Sequence, residues 1–120
     1  MSNFISDVLD VDVLKTTPSG PVEGFALTIG QSNVAPFKAS RWRLDPDLWT
    51  NWDQHGVIEL WLIATGSGVV WRDDVATRVA AGDAVLMPSQ VRHRLRNDGS
   101  TTIEVFSVWW NLDALGSAGA

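Results

Sequence analysis

The feature that most constrains this sequence is a pair of segments, residues 53–66 and 82–97, in which polar and turn-forming residues interrupt apolar runs at fixed intervals. The residues concerned are Asp53, His55, Glu59 and Gly66 in the first segment, and Gly82, Pro88, His93 and Asn97 in the second. Gly and Pro mark turns, whereas a His or Glu inside an apolar run needs a polar partner. The two segments therefore predict strands that carry polar side chains in need of partners.

The rest of the chain shows the same pattern of short strands between turn residues. Further strands are predicted at residues 25–29, 39–44, 69–72, 75–79, 84–87, 93–97 and 102–110, with an edge-strand pattern at 10–14. Residues 2–9 have the spacing of a short helix, and residues 17–21 read as a loop. Many short strands without a long helical pattern favour an antiparallel sandwich or barrel.

Composition excludes several classes of protein. The 120 residues suffice for one domain with a single core. The absence of Cys excludes disulfides, thiolate metal ligands and a Cys nucleophile, and the net charge of −5 argues against nucleic-acid binding. The sequence has neither an apolar run long enough for a membrane span nor a secretory signal, so we expect a cytoplasmic protein without membrane partners.

The paired segments resemble the two motifs of the cupin family. All the positions named above match the spacing of those motifs except Asp53, which stands in place of the first His. A second departure is Gln90, which stands where a Gly is expected. The resemblance implies an all-β, cupin-type double-stranded β-helix, or jelly-roll barrel, over residues 25–110. A short helical or extended N-terminal arm with a loop would occupy residues 1–24, and a flexible tail residues 111–120.

Strand alternation places Asp53, His55 and Glu59 on one face of their strand if no bulge intervenes. The resemblance puts His93 on a strand across from them. Two imidazoles and a carboxylate suit a divalent first-row metal, Fe(II) foremost, with Zn, Mn or Ni as alternatives. The competing interpretation is a metal-free cupin whose histidines are hydrogen-bonded core residues.

Asp53 has three interpretations on sequence alone. It is a fourth metal ligand, a general base beside an open metal position, or a surface carboxylate at the mouth of the barrel. Glu104 is a second candidate base if its strand turns it inward.

Aromatic and basic residues suggest a substrate pocket. The chain has seven Trp and no Tyr, and Trp commonly lines pockets. Trp52, Trp61 and Trp109 are candidates for the walls of a pocket for a planar ligand. Arg41 and Arg43 share a face and are candidates for binding an anionic group, although register cannot be settled from sequence. The stripe of Arg92, Arg94 and Arg96 is interpreted as a solvated outer face balanced by nearby acids.

These residues lead to two hypotheses about function. The first is a metal-dependent enzyme of the dioxygenase or the cyclase, lyase or isomerase type, acting on an aromatic or secondary-metabolite small molecule. The second is a non-catalytic sensor or ligand-binding cupin. We also expect a homodimer, because residues 58–63 are apolar on both faces of their strand.

Overall fold

The structure, a computed structural model, describes residues 8–112, and these residues form β-strands with no α-helix. The strands are β1 (Val11–Thr17), β2 (Gly20–Phe25), β3 (Thr28–Ile29), β4 (Ser32–Asn33), β5 (Lys38–Leu44), β6 (Ile58–Thr65), β7 (Ser67–Arg72), β8 (Val75–Ala80), β9 (Ala84–Met87), β10 (His93–Arg96) and β11 (Ile103–Trp110). No helix in this part of the chain is long and apolar enough to cross a membrane.

Two antiparallel sheets contribute to one core. The larger sheet has the order β1-β2-β5-β11-β6-β9, the smaller has the order β10-β7-β8, and β3 and β4 form a separate small hairpin. Strand alternation turns one face of each sheet inward. The buried apolar cluster contains side chains of both sheets: Leu44, Trp61, Ile63, Val85, Met87, Ile103 and Val105 from the larger, and Val70, Val79 and Leu95 from the smaller.

Most strands begin and end within two residues of the positions predicted from the sequence. The strand expected at residues 25–29 is one exception: β2 ends at Phe25, and β3 begins at Thr28 after two residues outside any strand. The strand expected to carry Asp53, His55 and Glu59 is another, because β6 begins only at Ile58 and both Asp53 and His55 lie in the irregular segment before it. The loop expected at 17–21 is only a turn between β1 and β2, closed by Gly20 at φ 114°. The resulting hairpin joins the larger sheet beside β5, so ordered sheet extends into the predicted arm.

The ends of the chain leave two predictions open. The described residues exclude most of the helix predicted at 2–9 and the part of the predicted tail at 113–120. Residues 8–10 are described and belong to no strand or helix. The division into arm, barrel and tail stays a prediction.

Turn geometry explains the roles of the Gly and Asn positions of the two motifs. Gly66 has φ 81°, and a Cβ there would lie 2.9 Å from the carbonyl oxygen of Thr102. Asn97 is fully buried, and its side-chain amide donates to the carbonyl oxygens of Leu44 and Thr101 at 2.8 and 2.9 Å. Gln90 has φ 65°, a left-handed conformation that explains why a Gly is expected there. These positions therefore shape the turns that carry the polar residues.

Candidate metal centre

Four polar side chains meet between the two sheets. His93 begins β10 in the smaller sheet, and Glu59 is the second residue of β6 in the larger sheet. Asp53 lies directly opposite His93, because the two residues exchange backbone hydrogen bonds of 2.9 Å in each direction. The backbone N–H of Gln90 donates to the carbonyl of His55 at 2.7 Å. These bonds tie residues 53–55 to β10 and to the turn before it.

Donor atoms of three of these side chains, Asp53, His55 and His93, lie close enough to share one ion, and Glu59 contacts both histidines. Oε1 of Glu59 is 3.1 Å from Nε2 of His55 and 3.6 Å from Nε2 of His93. Oδ2 of Asp53 is 3.9 Å from Nε2 of His55. Asp53, His55 and His93 each offer a ligand atom within 4.8 Å of the others. Ligands about 2.1 Å from a common metal are separated by distances of this order.

Both histidines are held in the tautomer that leaves Nε2 available. Nδ1 of His55 is 3.0 Å from the carbonyl oxygen of Val57, and Nδ1 of His93 is 3.1 Å from that of Val91. A carbonyl oxygen only accepts, so each Nδ1 carries a proton and donates it. Each neutral ring then directs an Nε2 lone pair at the carboxylates. A lone pair facing a carboxylate is repulsive unless a proton or a metal ion lies between them, and metal-ligating histidines commonly have this Nδ1–H bond to a carbonyl.

The contact between Glu59 and His93 lowers the pKa of the carboxyl group and raises that of the imidazole. Burial acts to raise the pKa of Glu59, but polar contacts with His93, Trp61 and Ser107 outweigh it, and the pKa lies below the ordinary 4.5. Burial acts to lower the pKa of His93, but Glu59, the carbonyl of Val91 and the charge of Asp53 outweigh it and raise the pKa above 6.5. The site is therefore built to hold an ionised carboxylate beside a positive charge.

Glu59 is supported by Ser107, which the sequence did not single out, and by Trp61. Ser107 on β11 is buried, and its Oγ accepts a hydrogen bond of 2.8 Å from the indole N–H of Trp42. The hydroxyl proton of Ser107 is thus free for the carboxylate of Glu59, whose pKa it helps to lower. The indole N–H of Trp61 is buried without a hydrogen bond of ordinary geometry in the described residues, yet it lies close enough to Glu59 to lower the same pKa.

A cavity of about 800 Å³ opens onto the four polar side chains. Five of the seven Trp line it, namely Trp42, Trp49, Trp52, Trp61 and Trp109. The predicted lining residues Trp52, Trp61 and Trp109 are among them. Trp42 and Trp49 were missed, although the alternation of Trp42 and Leu44 against Arg41 and Arg43 was a signal that Trp42 faces inward.

The predicted charged residues of the pocket mostly lie elsewhere. Arg41 points to the outer face of the larger sheet, where it pairs with Glu23 at 3.0 Å, and does not line the cavity. Glu104 is also outside the cavity and pairs with Arg43 at 3.0 Å. Arg43 reaches the cavity lining, but its guanidinium is engaged by Glu104. Strand alternation is the reason, since Ser107 and Trp109 take the inward positions of β11. Glu104 is therefore not placed to move a proton at the cluster.

The donor set fits a divalent first-row metal. His55 and His93 with either Asp53 or Glu59 form a two-imidazole, one-carboxylate set, and the remaining carboxylate lies beside it. Such a set leaves coordination positions open and suits non-haem Fe(II), although imidazole also binds Zn, Mn and Ni. The structure thus contains a group able to hold a metal.

Comparison with known proteins gives the same fold. The Cupin domain family matches residues 40–109. A protein from Photorhabdus luminescens superposes with a TM-score of 0.71 at 19% identity, covering 90% of this chain and 88% of that one. A cupin 2 conserved barrel domain protein from Salinispora arenicola gives 0.67 at 22% identity, covering 96% and 91%. A predicted oxalate decarboxylase from Thermotoga maritima gives 0.67 at 23% identity, covering 87% and 94%. These likenesses confirm the predicted jelly-roll fold.

Proposed function

We propose that this chain, which belongs to the cupin family, is an enzyme that uses one divalent metal ion to transform a planar, aromatic small molecule. One observation carries the proposal: the free Nε2 atoms of His55 and His93 converge on the carboxylate of Glu59, 3.1 and 3.6 Å away, at a Trp-lined cavity. We infer that the two histidines and Glu59 hold the metal, with Asp53 beside them.

The cavity supports an aromatic substrate rather than a small dianion. Its volume of about 800 Å³ is within the range of drug-sized ligand sites. Indole rings offer flat surfaces on which a planar molecule stacks. Arg43, one of the two basic residues of the lining, is already paired with Glu104. A Trp-lined cavity of this volume therefore suits a planar aromatic molecule better than the much smaller dianion oxalate.

Two types of reaction fit this arrangement. A bound metal would supply Lewis acidity or, as Fe(II), a redox centre. We place oxygenase chemistry first, because two imidazoles and one carboxylate suit Fe(II). Cyclase, lyase or isomerase chemistry is the second candidate, supported by the position of Asp53, whose side chain is 61% exposed and only 3.9 Å from Nε2 of His55. In that case Asp53 would accept a proton from substrate in the cavity, while the tryptophans orient the substrate and exclude water.

The experiment separates the enzyme from a non-catalytic binder and separates the two reaction types. Metal-stripped protein would be reloaded with Fe(II), Zn, Mn or Ni and given a panel of phenolic and other aromatic compounds, with oxygen uptake and product mass recorded. Oxygen uptake that occurs only with the Fe(II)-loaded protein supports the oxygenase. Isomeric or cleaved products formed without oxygen uptake support the cyclase, lyase or isomerase. Ligand binding equally tight in stripped and loaded protein, without turnover, would favour the sensor hypothesis.

We also propose a cytoplasmic homodimer that forms through the outer face of the larger sheet. Leu62 and Leu86 are 41% and 48% exposed there, and cross-strand pairing places Phe106 beside Leu62 and Val108 beside Leu60. An apolar patch on a sheet face marks an interaction surface. Light scattering of the wild type should give twice the mass of the chain, and Leu62→Glu should give a monomer that retains the strand signal in circular dichroism. A monomeric wild type at micromolar concentration would contradict the proposal.

A further inference from the structure

The outer face of the smaller sheet carries an alternating stack of cations and indole rings, called here the Arg–Trp stack and formed by Arg92, Trp52, Arg94, Trp49 and Arg96. The guanidinium of Arg94 lies 3.7 Å from the ring centre of Trp49 and 4.3 Å from that of Trp52. Arg92 lies 4.1 Å from the Trp52 ring, and Arg96 lies 5.3 Å from the Trp49 ring. Each distance is within the range of a cation–π interaction.

Backbone pairing produces this order. Arg94 and Arg96 alternate along β10 with His93 and Leu95, which face the core, and Arg92 directly precedes the strand. Successive arginines are therefore two residues, or about 7 Å of extended backbone, apart. The segment containing the two tryptophans runs beside β10, paired at Trp49 with Arg96 and at Asp53 with His93. The indoles therefore reach across β10 and interleave with the guanidinium groups.

The positive charge of the stack is largely unbalanced. Elsewhere on the surface Arg41, Arg43 and Arg78 each form an ion pair of 3.0 Å or less with a carboxylate. Within residues 8–112, neither Arg92 nor Arg94 has a carboxylate within 4.0 Å. Arg96 has only Asp47, at 4.0 Å, and the side chain of Asp47 is 85% exposed. The prediction that nearby acids balance this stripe therefore does not describe Arg92 and Arg94, in a chain whose net charge is −5.

The stack also contains a polar atom without a partner. Nε of Arg94 is buried and has no hydrogen-bond acceptor in the described part of the chain. Stacking occupies the faces of the guanidinium groups and fixes their orientation, so that only their N–H edges remain to donate. Guanidinium edges match the oxygen pairs of carboxylates and phosphates.

We propose that the Arg–Trp stack is a binding site for a small ligand that carries two or more oxyanion groups, phosphate or carboxylate. Arginines that follow one another about 7 Å apart along the backbone suit charges separated along one ligand. The ordering is already present in the free protein, which lowers the entropic cost of binding. This site shares Trp49 and Trp52 with the wall of the cavity but contains none of the four residues of the metal cluster, and the proposal does not depend on the proposed enzymatic function.

The test uses tripolyphosphate and citrate as probes, titrated into the whole chain at constant ionic strength. Fluorescence of the indoles and isothermal calorimetry report binding. Arg94→Gln should weaken binding about tenfold or more, because it removes charge-assisted hydrogen bonds. Arg78→Gln is the matched control, since Arg78 is an exposed arginine on the same sheet paired with Asp98, and it should bind as the wild type does.

The two probes distinguish the source of the oxyanion. Binding of tripolyphosphate alone identifies a phosphate ligand, and binding of citrate alone identifies a carboxylate ligand. Each of these results supports the site. If Arg94→Gln fails to fold, Arg92→Gln replaces it, because Arg92 is exposed at the end of the stack. Absence of binding by both probes, or binding unchanged in the arginine variant that folds, would overturn the proposal.

Discussion

Nε2 of His55 lies 3.1 Å from Oε1 of Glu59, and the other ring nitrogen of His55 donates to the carbonyl of Val57. The imidazole thus cannot satisfy the carboxylate while neutral, because its one proton is used elsewhere. His93 repeats the arrangement on the opposite sheet, with Val91 as acceptor. Two such rings around one half-buried carboxylate require a proton or a metal ion between them, and in the proposed function a divalent cation takes that place.

Asp53→Ala should lose turnover far more than it loses metal. Asp53 is the most exposed member of the cluster, and a base or water-positioning group acts mainly in the transition state. Metal stoichiometry and turnover would be measured side by side. Asp53→His, which restores the residue expected from the motif, should bind metal at least as well and turn over poorly, because imidazole would fill the position beside the metal. Full turnover in Asp53→Ala would make Asp53 a mouth residue, and loss of metal would make it a ligand.

Ser107→Ala should destabilise the fold by about 1–3 kcal/mol and weaken metal retention, because it leaves the indole N–H of Trp42 unpaired and removes a donor from Glu59. Ser40→Ala is the matched control. Ser40 is buried directly opposite Ser107 on β5 and forms no side-chain hydrogen bond within residues 8–112. Denaturant unfolding and metal competition with a chelator give the two readouts. Equal effects of the two substitutions would show that Ser107 has no special relation to Glu59.

Gln90→Gly should stabilise the protein by about 1 kcal/mol, since a non-Gly residue in the left-handed region carries a cost of that order. The melting temperature should rise by roughly 4 °C. Gln90→Ala separates backbone strain from side-chain contacts, because it removes the side chain and keeps the strain. A melting temperature raised as much by Ala as by Gly would mean that the strain is not the cause.

The metal-free protein should be most stable between about pH 4.5 and 6.5. The lowered pKa of Glu59 contributes stability that is lost as the pH falls through the folded value, below 4.5. The raised pKa of His93 contributes stability that is present below 6.5 and lost as the pH rises through the folded value, above 6.5. Thermal melts of stripped wild type and Glu59→Gln across this range check the expectation. The variant should show a flatter profile, and identical profiles would contradict the pairing.

The sequence predicted the fold well because turn residues and alternation are local signals. Gly66 and Gly82 mark real turns at positive φ, and Ala84–Met87 has the predicted bounds. The approach of His93 to His55 and Glu59 was implied by the resemblance to the cupin motifs and not by any local pattern in the sequence. The outward position of Glu104 depends on strand register, which alternation alone leaves undetermined.

Other features depended on contacts that no local pattern contains. The support of Glu59 by Ser107 joins β6 to β11, and the Arg–Trp stack joins β10 to an irregular segment some 40 residues earlier in the chain. In the sequence, Ser107 is one more serine within a strand, and the alternating arginines are interpreted as a solvated outer face. Only the pairing of strands shows which side chains they meet.

The measurement that tests the central claim most directly is the metal content of the purified protein and of His93→Ala by elemental analysis. Wild type loaded with excess divalent metal and then desalted should retain about one ion per chain, and His93→Ala should retain almost none while keeping its β-sheet circular dichroism. Arg92→Ala, which changes the neighbouring outward residue, is the control and should retain as much as the wild type. Equal metal content in the wild type and His93→Ala would contradict the account.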